Sequence, residues 1–159
     1  MPRTLVQRNK IVTAICNQTT NGALTGDYVC LKNAIRCTVV VLLDQVVGHA
    51  TAITIEQATD AAMGSTKAIT NVVPIWQNAD TAATDTLVRE TTDAVSLTVA
   101  NDIKEKMVVF DIDPSLLDVA NDFDWITVKT AASSEANYVT AIYVLEAKIQ
   151  GDPPPTAIV

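Results

Sequence analysis

A chain of 159 residues is long enough for one domain with its own hydrophobic core, so neither disulfides nor a metal is needed to hold it together. Charged residues make up only 18% of it, with 21 Thr and 21 Ala in their place, and the net charge is −7. Eleven scattered basic residues against eighteen acidic ones argue against a phosphate-binding surface, and hence against nucleic acid as a partner. No apolar run approaches the roughly 18 residues of a membrane helix.

The chain opens on "MPRTLVQRNKIVTAIC", where Arg3, Arg8 and Lys10 are not followed by the apolar core of a secretory signal; the protein is expected to act unprocessed. Residues 1–35 read as an N-terminal arm, with "LVQRNKIVTAI" able to pair with a sheet edge and "NQTTNGALTGDY" loop-like. From Arg36 the β signal strengthens. "RCTVVVLLDQ" is a continuous β-branched apolar run, long enough for a buried strand and short for a helix. Gly48 and His49 make a turn before "TAITIEQ", where Ile53 and Ile55 alternate with Thr54 and Glu56, which places Glu56 on the solvent side. "EQATDAAMG" is either a short helix ending at Gly64 or a bulged loop. "AITNVVPIWQN" is extended, with Pro74 confined to an edge or a bulge. "DTLVRETT", "AVSLTVA", "EKMVVFDID", "DWITVKT" and "NYVTAIYVLEAKI" follow as strands, and Asp113 before Pro114 is an N-cap for one helical turn. Seven to nine short strands at this spacing predict an all-β, antiparallel, jelly-roll-like sandwich over residues 36–149. The Pro-rich segment 150–159 reads as an extended arm that carries Ala157, Ile158 and Val159 away from the domain.

Chemistry is sparse. Cys16, Cys30 and Cys37 lack CxxC spacing, and His49 is the single histidine, so a zinc site or a histidine-based triad has little to draw on. No nucleotide-binding glycine loop or nucleophile elbow is present. Asp111, Asp113 and Asp118 in "FDIDPSLLDVANDFDW" have the oxygen chemistry calcium prefers. The EF-hand spacing fails, however, and each has a simpler use: strand solvent face, cap and loop. No cofactor or metal is expected, and no enzymatic activity.

The segments "TAITIEQATDAAMGSTKAI", "VVFDID", "PSLLDVANDFDWITVKTA" and "NYVTAIYVLEAKI" together resemble small head-associated structural proteins of long-tailed bacteriophages, decoration or cement proteins among them. The residues that carry the resemblance are Ile53, Ile55, Gln57, Ala58, Lys67, Phe110, Ile112, Asp113, Leu117, Asp118 and Phe123, within Arg36–Ile149. The resemblance implies a β-sandwich on the outer surface of a virion capsid, assembled in the host cytoplasm. It implies contact with the major capsid protein and homotrimeric association. The expected contact residues are Met63 and Gly64 in the small-residue loop, and Pro153, Pro154, Pro155, Ile158 and Val159 in the tail. A neck, tail or head-fibre component, or a calcium- or carbohydrate-binding β-module, are the alternatives.

Overall fold

The computed structural model describes residues 4–149 and 156–158. After a single helical turn, α1 (Leu5–Arg8), come twelve strands: β1 (Asn9–Thr19), β2 (Leu24–Thr25), β3 (Val29–Cys30), β4 (Ala34–Asp44), β5 (Ala52–Ala58), β6 (Thr66–Ala68), β7 (Ile75–Asn78), β8 (Val88–Arg89), β9 (Ser96–Thr98), β10 (Glu105–Ile112), β11 (Trp125–Thr130) and β12 (Tyr138–Ala147). They form two antiparallel sheets. One, sheet A, runs β1-β12-β4-β10-β7-β8; the other, sheet B, runs β2-β11-β5-β6, with β3 also on β11 and β9 on β5. The fold is all-β, and sequence periodicity is what assigns residues to its faces. Cys37, Val39 and Val41 of β4, Val108, Phe110 and Ile112 of β10, and Ala141 and Tyr143 of β12 turn inward. They meet Ile53 and Ile55 of β5 and Ile126 and Val128 of β11, all fully buried. Each large side chain in this layer contributes about 1.5–3 kcal/mol.

One polar link crosses that core. The Tyr143 hydroxyl accepts from the Val128 N–H at 2.9 Å and donates to the Asp27 carbonyl at 2.9 Å, joining sheet A to sheet B. Burial, the dominant effect, pushes its pKa above the ordinary tyrosine value. Gly26 sits where the chain crosses β11. A Cβ there would lie 3.1 Å from Ala14 and from Val128, so close approach demands the glycine.

Several expectations meet the structure differently. The expected pairing of "LVQRNKIVTAI" at a sheet edge is present, β1 running along β12 from Asn9↔Glu146 to Thr19↔Tyr138, but residues 9–31 as a whole are woven into the body, and Ala14, Ile15, Val29 and Leu31 join the core. The polar residues Asn9, Lys10 and Asn17 hid this strand's period, and register shifts interrupt it at Thr13/Ile15 and Ile15/Gln18. Of the two readings of "EQATDAAMG", the loop is the one observed, over residues 59–65. Asp113 does cap a helical turn, a 3-10 one over Pro114–Leu116, with its side chain accepting from the Ser115 N–H at 2.9 Å. Pro74 lies just before β7, as its missing donor requires.

The tail differs most. Ala157 does not project outward: it is 7% exposed, belongs to the core cluster, and its carbonyl accepts from the Cys30 N–H at 2.8 Å. β3 thus offers the N–H that the Ala157 carbonyl takes.

Candidate interaction surfaces

Three regions of the surface stand out, and the first is a locked corner at one end of the sandwich. Gln57 follows Ile53 and Ile55 on the inward face of β5 and is fully buried, so its amide needs partners. Its Nε2 donates to the Ala68 carbonyl at 3.0 Å and to Thr70 Oγ1 at 3.2 Å, and its Oε1 accepts from the Asp118 N–H at 2.8 Å. From β6, Lys67 pairs with the Asp118 carboxylate and lies 4.0 Å over the Phe123 ring, a cation–π contact. The Lys67 hydrogen bond, then that of Asn121, holds the Asp118 carboxyl below its ordinary range. Gln57, Lys67, Asp118 and Phe123, separated in sequence, thus converge on one junction.

The loop between β5 and β6 projects beside this junction. Asp60 Oδ1 accepts from the N–H of Ala62 at 2.7 Å and of Gly64 at 3.1 Å, which folds the loop tightly. The left-handed position is Met63, with φ 62°, rather than Gly64. A Cβ at Gly64 would strike the Asp60 carboxylate, so the glycine leaves that carboxylate room to fold in. Met63 is thereby held out into solvent, 58% exposed. Ile158, 54% exposed, lies beyond the docked Ala157 at the same end, since Cys30 and Ala58 both pair with Trp125. Pro153, Pro154, Pro155 and Val159 fall outside the described residues. A cleft of about 430 Å³, lined by Leu31, Pro114, Leu117, Asp124 and Lys148 among others, completes this end.

The three acidic candidates do not share a centre. Asp111 pairs with Arg36 at 2.5 Å, Asp113 caps Ser115, and Asp118 binds Lys67 and Asn121. Among the described residues no group of three or more His, Cys, Asp or Glu side chains is placed to hold a metal ion. His49 is exposed in the 45–51 loop, where its carbonyl accepts from Gln45 Nε2 at 2.7 Å and Asn137 Nδ2 at 3.2 Å. Glu56 is on the solvent side, as periodicity predicts, and pairs with Lys129 at 3.2 Å.

The second and third surfaces are the outer faces of the two sheets, and they are chemically unlike. Sheet B presents Thr54, Ser96 and the Glu56–Lys129 pair. Sheet A presents an apolar row: the registers align Ile142 of β12, Val40 of β4, Val109 of β10 and Trp76 of β7 side by side. Leu42 and Met107 form a second row next to it, and Ile11 and Val144 lie on its other side. Leu42 is 41% and Ile11 44% exposed. Sequence reasoning missed this face because its members come from five strands and align only once the register is fixed. The available signal was the unbroken apolar run "RCTVVVLLDQ", which has hydrophobic side chains for two faces although only one is covered.

No protein-family model matches the chain, and no curated protein does. Among solved structures it is similar to the SPBc2 prophage-derived protein YomS, at 10% identity over 86% of this chain and 91% of that one, with a TM-score of 0.49. It is also similar to a structure described as "CBM4 structure and function", at 10% identity over 90% of this chain and 70% of that one, TM-score 0.33. A third is from the infectious bursal disease virus Gx strain, at 15% identity over 87% of this chain and 39% of that one, TM-score 0.27. At these identities and TM-scores the similarities carry no argument about function.

Proposed function

We propose that the protein is a structural component of a tailed-phage virion that binds the outer capsid surface and links neighbouring major-capsid subunits. The observation that carries this reading is the convergence of Gln57, Lys67, Asp118 and Phe123, four of the residues on which the sequence resemblance rests. They brace the end of the sandwich from which Met63 and Ile158 project. A rigid scaffold that holds out short apolar contacts suits a clip that acts through many modest, repeated attachments. The polar, ion-paired face of sheet B is suited to remain in water.

The test is binding to capsids that lack the protein. Purified protein should co-sediment with them at a saturating ratio that scales with the number of capsid subunits. Met63→Asp should reduce that ratio without changing the melting temperature. Saturation at a few copies per particle would instead assign a neck or tail position. No binding to capsids, with the protein folded, would overturn the proposal.

A further inference from the structure

We infer that Asn21 is a site of spontaneous covalent modification, where the chain converts its own side-chain amide to a carboxylate through the Gly22 nitrogen. Such a step needs an asparagine amide free to turn onto the next backbone nitrogen, and no side chain on that next residue to obstruct it. Asn21–Gly22 is the single Asn–Gly pair in the sequence. It lies in the exposed turn between β1 and β2, and among the described residues neither the Asn21 amide nor the Gly22 N–H has a hydrogen-bond partner. The fold gives position 22 no reason to be glycine. Its φ is not positive, and a Cβ built there meets nothing within 4 Å, whereas Gly26, Gly48 and Gly64 are all closely approached. What the glycine supplies is an unshielded N–H.

The other asparagines are held back. Asn9, Asn71, Asn78, Asn121 and Asn137 each donate the side-chain amide to an oxygen of another residue. Asn17, Asn33 and Asn101 precede Gln18, Ala34 and Asp102, which carry a Cβ, and the Ala34 N–H already donates to the Leu31 carbonyl at 3.0 Å. At Asn21 the Gly22 nitrogen, its proton lost to base, attacks Cγ. A new C–N bond forms as the Cγ–Nδ2 bond breaks, the amide leaves as ammonia, and a five-membered imide spans the two residues. Water then opens the imide. Attack at Cγ leaves aspartate; attack at the Asn21 main-chain carbonyl carbon leaves isoaspartate, with the backbone routed through the side chain. Either product adds one negative charge to a chain already at −7. The turn can absorb the change because both its ends are anchored. Upstream, the Thr20 N–H donates to the Asn137 carbonyl at 2.9 Å, its hydroxyl to the Ser134 carbonyl at 2.9 Å, and its carbonyl accepts from the Ser133 N–H at 2.7 Å. Downstream, Leu24 and Thr25 pair with Thr130 and Lys129.

This modification stands without the capsid reading. Folded protein held in mildly alkaline buffer should accumulate an acidic species on ion exchange, more slowly in mildly acidic buffer, with no fall in melting temperature. The tryptic peptide of residues 11–32 from that species should show the mass gain of an amide-to-acid change. Electron-transfer fragmentation should place the change at Asn21, as aspartate and isoaspartate together. Gly22→Ala, which has room for its methyl group, and Asn21→Gln should both keep the parent melting temperature and lose the species. Folded protein that forms no acidic species, whether or not the urea-unfolded chain forms one, would overturn the inference, since the turn would then hold the amide away from Gly22. So would conversion that persists in Gly22→Ala, or conversion at Asn17 in the same peptide as fast as at Asn21.

Discussion

Gln57→Leu is the sharpest test of the corner, because it keeps the side chain's size and removes its polarity. Three hydrogen bonds disappear, to Ala68, Thr70 and the Asp118 N–H. Each is worth about 1 kcal/mol net, and an N–H left without a partner adds to the loss. The leucine recovers part of this, since Gln57 is fully buried. The expected net loss is about 2–3 kcal/mol. Equilibrium urea unfolding should show a lower midpoint with an unchanged slope. Because the lost bond to the Asp118 N–H ties residues 114–124 to β5, limited proteolysis should also cut that segment faster than the rest. A loss below about 0.5 kcal/mol with unaltered cleavage would refute the reasoning. The corner would then be held by its ion pair and by packing alone.

Other perturbations follow from the same contacts. Tyr143→Phe deletes the link between the sheets and leaves the Val128 N–H and the Asp27 carbonyl without it; unfolding experiments should show a loss of about 2–3 kcal/mol. Removing residues 156–159 takes Ala157 out of its seat and frees the Cys30 N–H, so a stability loss of about 1–2 kcal/mol is expected, where a free arm would give none. Asp118 has a lowered pKa in the folded chain, so its stabilisation is complete above the ordinary carboxylate value of about 3.9 and is lost as pH falls through the folded one. An acid titration followed by the Trp125 indole resonance should show the corner opening in that window, and Lys67→Met should move the opening to higher pH. Gly64→Ala should displace the Asp60 carboxylate and loosen the 59–65 loop, visible as faster amide exchange at Ala62 with the melting temperature nearly unchanged.

The sequence disclosed those parts of the fold that a single strand's own pattern determines. Ile53 and Ile55 alternate with Thr54 and Glu56 because one side of β5 meets the core and the other meets water, and both assignments hold in the structure. Asp113 before Pro114 is equally local, and the cap is there. What depends on pairing was not visible. Nothing near Lys10 or Asn17 tells that β1 lies along β12, since edge strands carry polar residues as freely as loops do. Ala157 looks like any small residue in a tail until the Cys30 N–H it satisfies is known. Lys106, in an inward position on β10, is fully buried and pairs with Asp102; an isolated lysine in "EKMVVFDID" carries no sign of that. The convergence of Gln57, Lys67, Asp118 and Phe123 is likewise a property of the assembled sheets. Each of these residues could be named from the sequence, but not their meeting.

The pairing of β1 with β12 also has a consequence during synthesis. Asn17 donates its N–H to Thr140 Oγ1, 123 positions further along the chain. β4, the centre of sheet A, likewise waits for β12 as one of its two neighbours. While the chain is still growing, β4 has β10 to join on one edge but no partner on the other. Its unbroken apolar run is then an open strand edge, the condition under which nascent β-proteins stick to one another. Closure over such long separations is slow compared with local pairing. The arrival of β12 is therefore what closes that edge of β4.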